Sequence, residues 1–206
     1  PARPLPFALL DEVPISMSHL TPADLYSLEQ YAKVRNEFRA RVMAHKRDRK
    51  VPIGPNATLY FEDRLTMQYQ IQEMLRIFEE EGIRDELDSY NPLVPDGRNL
   101  KATFMVEFAD SEERKHALAR LIGIEDKVWV QVAGHEPQYA IADEDLERED
   151  DSKTSSVHFL RFELTDAMAA ALKAGAGLAL GIDHPHYEYR VDAAPATRDS
   201  LTADLS

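Results

Sequence analysis

Asp183, His184, His186 and Glu188 lie within six residues in the stretch "DHPHYEY". On an extended chain alternate residues share a face, so His184, His186 and Glu188 could converge. Two imidazoles and a carboxylate suit zinc or non-haem iron, and these are the metals this set would take. Pro185 favours a turn between the histidines, which would leave them exposed. Asp183 and His184 could equally form a hydrogen-bonded dyad in which the carboxylate orients the ring. A second set is Glu62, Thr66, Tyr69 and Glu73, spaced by four, three and four residues. On a helix these form one stripe, able to hold a hard cation or move protons if it faces a cleft, and merely polar if it faces water. Glu62 or Glu73 is then the remote carboxylate that the fold would bring to the histidines. Arg64, Tyr69 and His158 complete the cleft candidates. His158 opens an apolar strand beside Phe159 and reads first as a packed or interface histidine.

Other chemistries are poorly served. The chain has no cysteine, which removes disulfides, thiolate nucleophiles and self-ligated iron–sulfur clusters. Helix-borne Glu-x-x-His pairs, the di-iron bundle signature, are missing from the first two helical segments. The stretch "IGPNATLYFEDR" (53–64) carries one glycine and no lysine, and the acids Glu62 and Asp63 would repel a phosphate. It reads as a turn between two helices. The basic run "HKRDRK" (45–50) before it reads as a solvated helix end, with a docking patch as the second reading. A net charge of −13 argues against nucleic acid and anionic membrane partners. No apolar run approaches the length of a membrane-spanning helix.

The elements that must position these residues follow from pattern and punctuation. Residues 1–17 form a proline-rich N-terminal extension, either loosely packed or an arm that docks on a partner. Residues 18–98 read as helical. Thr21-Pro22-Ala23-Asp24 signals a helix start, with apolar residues at helical spacing to about Arg49. A second helix is expected from about Glu62 to Gly82, with a short third one after it. Residues 99–191 read as α+β. Strands are expected over 102–108, 127–132, 138–142, 157–164 and 178–182, and capped helices over 110–123 and 165–175. The order strand, helix, strand, His-containing turn occurs twice, which suggests a β-α-β pseudo-repeat; ordinary α/β alternation gives the same order. Asp143–Asp151 is a solvated acidic connection or a docking strip for a basic partner, and residues 192–206 a mobile tail. The expected fold is α+β: an N-terminal helical hairpin, then a mostly antiparallel sheet with two helices.

The stretches "PIGPNATLYFEDRLTMQYQIQEM", "DGRNLKATFMVEF", "IADEDLERE", "VHFLRFEL" and "DHP" together make the chain resemble a bacterial family of unknown function. Genes of that family commonly lie beside genes for rubrerythrin-like proteins. They also lie beside those for iron–sulfur proteins related to the C subunit of anaerobic glycerol-3-phosphate dehydrogenase. The similarity covers about Ser18 to Val191. It implies a cytoplasmic protein that works with a redox system in peroxide handling, and it supplies no catalytic residues. The resulting expectation is a non-catalytic accessory or assembly subunit with a rubrerythrin-like or iron–sulfur protein partner. The alternative is a small metal-dependent enzyme or sensor holding iron or zinc at the His/carboxylate set. Homo-oligomerisation is left open by both.

Overall fold

Asn99–Val106 alternates buried and half-buried side chains along its length, as a strand with one face in a core must. The same logic builds two antiparallel sheets around it. The computed structural model describes residues 19–78, 82–150 and 152–206; the expected extension at 1–17 lies outside the described residues. In chain order the main elements are α1 (Leu28–Arg47), β1 (Lys50–Ile53), β2 (Ala57–Glu62), α2 (Arg64–Phe78), α3 (Ile83–Tyr90), β3 (Asn99–Val106), α4 (Ser111–Arg120), β4 (Val128–Val132), β5 (Gln138–Tyr139), β6 (Ile141–Ala142), β7 (Val157–Glu163), α5 (Asp166–Lys173), β8 (Leu178–His184), β9 (Tyr187–Asp192) and α6 (Pro195–Thr202). The α+β expectation holds. Among the described residues no helix is long and apolar enough to cross a membrane.

The first sheet has the order β1-β2-β3-β7-β6 and the second β5-β4-β8-β9. Their inner faces share one core, which includes Leu59, Phe104 and Phe162 from the first sheet and Val130, Leu180 and Ile182 from the second. Both strand–helix–strand units start in the first sheet and end in the second. β3 pairs with β7, and β4 with β8, each antiparallel. The order seen twice in the sequence is therefore repeated in the topology. On the outer face of the second sheet the indole of Trp129 lies against Gly181, where an added Cβ would come within 2.1 Å of the ring.

Three expectations are corrected. Residues 50–62 are not a turn between helices but a β-hairpin that edges the first sheet. Gly54 turns it with φ 71°, and the Tyr187 hydroxyl fastens it, donating to the Ile53 carbonyl (2.7 Å) and accepting from the Asn56 and Ala57 amides (2.9 and 3.0 Å). Helix one does not start at Thr21. Thr21 and Asp24 close only a single 3-10 turn, and α1 is capped by Ser27, whose hydroxyl accepts from the Gln30 amide. The segment after Asp192 is no mobile tail. It forms α6 and buries Leu201 and Leu205 in the shared core, because these apolar side chains have a hydrophobic surface to cover. The helices α1, α2 and α3 pack through two smaller clusters, one around Ile71 and one around Phe38.

Candidate functional site

The histidine pair does not build a shared site with the carboxylates. His184 ends β8 with its side chain buried, and its Nε2 donates to the Ile122 carbonyl at 3.1 Å. Its Nδ1 accepts from the His186 amide at 3.1 Å, so both ring nitrogens are engaged. Burial pushes its pKa below the ordinary value. Asp183 is exposed and accepts from the Tyr139 hydroxyl at 2.6 Å, since successive strand residues point to opposite faces. Glu188 is exposed opposite Asp183 on β9, and His186 is exposed in the turn.

The Glu62–Glu73 stripe is also divided. Glu62 belongs to β2, not to the helix, and Glu73 points toward α1. There Glu73 accepts from the Tyr31 hydroxyl (2.7 Å) and from both prongs of Arg35 (2.7 and 2.8 Å). The Arg35 guanidinium holds its carboxyl at a pKa of about 2. Tyr69 packs on Phe38, and Arg64 pairs with Asp24 at 2.7 Å. Glu62 is buried, takes a hydrogen bond from Thr103 (2.9 Å), and its Oε2 has no partner among the described residues.

Two buried polar clusters were not read from the sequence. The first centres on Arg49, 1% exposed. Its guanidinium donates to the carbonyls of Phe61, Glu62 and Ser200 and pairs with Asp204 at 2.5 Å, with Asp63 3.6 Å away. Asp63 in turn caps α2 by accepting from the Thr66 amide, and bonds His45. Burial opposes ionisation of Asp63, yet the His45 hydrogen bond and the Arg49 charge hold its carboxyl below the ordinary range. Burial pushes Asp204 up to about 6 against the pull of Arg49. Here a guanidinium ties α1, the hairpin, α2 and α6 together, a structural role.

The second cluster centres on His158, which is fully buried on the inner face of β7. Asp143 Oδ2 faces its Nδ1 at 2.6 Å. Its Nε2 meets Thr154 Oγ1 at 3.0 Å, the Ser155 carbonyl at 3.1 Å and Glu125 Oε2 at 3.7 Å. Thr154 also donates to Glu125 at 3.2 Å. Asp143 sits at φ 48°, a strained value for a non-glycine residue. It is locked there by exchanging hydrogen bonds with Phe159 and by Arg148 at 3.0 Å. Burial pushes the Glu125 carboxyl up; a backbone hydrogen bond and the His158 charge oppose this, and the adjacent Glu149 carboxyl adds to it. Among the described residues, Glu125, Asp143 and His158 are the trio whose ligand atoms fall within 4.8 Å of one another.

Carboxylate, imidazole and hydroxyl stand here in the order of an activated nucleophile. Thr154 is 1% exposed, so no substrate reaches its hydroxyl, and the cluster is not a hydrolytic triad in this conformation. Of the sequence candidates only His158 takes part. The acid run from Asp143 to Glu149 was the available signal for its partners, because its first member, Asp143, reaches the cluster.

A family model described as a protein of unknown function, DUF3501, matches residues 19–205. The chain belongs to the DUF3501 family. The crystal structure of a novel protein of unknown function from Burkholderia pseudomallei K96243 is 55% identical, over 92% of this chain and 100% of that one, with a TM-score of 0.86. No curated protein matches the chain. The DUF3501 fold is thus shared across a solved relative of matching length, and the assignment of chemistry rests on the side chains described above.

Proposed function

We propose that this DUF3501 chain is a non-catalytic accessory or assembly protein of a cytoplasmic redox system, and that it docks on its partner through the segment from Tyr139 to Asp150. One observation carries this reading: the segment is held in a fixed shape while presenting apolar side chains among acids. Tyr139, Ile141 and Leu146 are 47%, 41% and 57% exposed. Arg148 gathers Asp143 and Asp145, Arg161 holds Glu144, and Glu149 accepts from the Gly123 amide at 2.8 Å. A preorganised strip loses little conformational entropy on binding, and exposed apolar side chains supply the buried area of an interface. The surrounding carboxylates select a basic partner surface. The partner class, a rubrerythrin-like or iron–sulfur protein, comes from the resemblance described above, and a chain without cysteine would leave any cluster to that partner.

The test is affinity capture from the native host at moderate salt with partner identification. Wild type should recover a rubrerythrin-like or iron–sulfur protein, and Leu146→Arg with Glu147→Arg should lose it while keeping the same circular dichroism. Recovery of neither partner class by wild type, or equal recovery by the double variant, overturns the proposal.

A further inference from the structure

The donors around His158 pose an accounting problem. A carbonyl oxygen can only accept, so His158 Nε2 and the Ser155 oxygen, 3.1 Å apart, require a proton or a cation between them. A divalent ion would fill that place. The spacing suits it. Metal–ligand bonds of about 2.0–2.2 Å put neighbouring donors roughly 3.0–3.5 Å apart. His158 Nε2, Thr154 Oγ1, the Ser155 carbonyl and Glu125 Oε2 are separated by 3.0, 3.1, 3.7 and 3.2 Å along the measured edges. Asp143, on the other ring nitrogen, is placed as the outer carboxylate that fixes tautomer and ring orientation in metal-binding histidines.

We propose that His158 Nε2, Glu125, Thr154 Oγ1 and the Ser155 carbonyl form a binding site for a divalent first-row transition-metal ion, with Asp143 as a positioning residue. One nitrogen among oxygen donors suits manganese, ferrous iron or zinc. The ion takes the place of the proton on Nε2, which is released to solvent. Because Asp143 also anchors the acidic strip, ion binding tightens the surface that carries the docking reading, although the site stands without that reading.

The experiment uses the full chain without an affinity tag, stripped with a chelator and loaded separately with Mn²⁺ and Zn²⁺. Wild type should retain about one ion per chain after desalting. With Mn²⁺ bound, the electron spin echo should carry modulation from an imidazole nitrogen. Glu125→Gln, an isosteric change checked for unchanged circular dichroism, should weaken binding at least about 10-fold. Asp143→Asn should weaken it about 10- to 100-fold while keeping stoichiometry and nitrogen modulation. His158→Gln should abolish the modulation. Less than about 0.1 ion per chain with both metals, unchanged affinity in Glu125→Gln, or no nitrogen modulation in wild type overturns the site and leaves His158 as a hydrogen-bonded tie.

Discussion

At the scale of single residues, Arg49 has the largest predicted effect. A guanidinium buried to 1% exposure faces Asp204 and Asp63 and three carbonyls. Removing it leaves two carboxyls buried beside one another, the situation that costs about 3–5 kcal/mol when one partner of a buried pair is deleted. Arg49→Ala should therefore lower the urea-unfolding free energy by that amount, and a loss under about 1 kcal/mol would mean that water re-enters the cluster freely. Asp204 adds a pH dependence with a definite sign. Its folded pKa of about 6 exceeds the ordinary 3.8, so the folded chain binds its proton more readily and this group's stabilisation fades as pH rises from about 4 to about 6. Asp204→Asn should flatten that decline, by roughly 1–3 kcal/mol in the difference between variant and wild type across the window. Parallel pH profiles for the two proteins would count against it.

At the scale of elements, the hairpin β1–β2 depends on a side chain more than a hundred residues away. Tyr187→Phe removes one donor and one acceptor that serve three backbone groups, and should cost about 2–3 kcal/mol by thermal or urea unfolding. Gly54→Ala should cost at least as much. Its Cβ would come within 2.7 Å of both the Tyr187 hydroxyl and the Tyr189 ring, at a φ that side chains avoid. The same hairpin shows where sequence reading stopped. Strands such as β3 and β7 were legible because their alternation is local. "KVPI" alternates, but over only four residues and with a proline inside; "ATLYFE" does not, since β2 is buried along nearly its whole length, and the Gly-Pro-Asn turn between them fits a helix stop as well as a hairpin. Placing Glu62 on α2 followed from that, and with it the stripe that the structure divides. His158 was seen, but its partners Asp143 and Glu125 were hidden in an acid run and a one-turn connection. Their meeting depends on pairing between β6 and β7, which leaves no periodic trace in either segment.

For the molecule as a whole, charge is the dominant global property. Thirty-seven acids against 24 basic residues leave −13, spread over a small fold. Self-repulsion of that size is screened by salt, whereas the buried Arg49 cluster is not. Raising sodium chloride from about 0.02 to 0.3 M, which shortens the Debye length severalfold, should therefore raise the melting temperature by a few degrees. A fall would mean that the exposed ion pairs, such as Arg161 with Glu144, outweigh the net repulsion. The Arg49 cluster also joins helical and sheet regions that otherwise pack through separate apolar clusters, so it should govern whether they melt as one body.

The chain has a single tryptophan, Trp129, pressed on Gly181 with its indole nitrogen buried and without a partner among the described residues. An indole in that setting emits at shorter wavelength than one in water, and its emission reports the second sheet alone. Ellipticity at helical wavelengths is weighted toward α1 and α2, which lie outside the sheet core. Two optical signals thus watch two regions of one native protein with no added label. Their melting curves should superimpose in wild type and separate in Arg49→Ala.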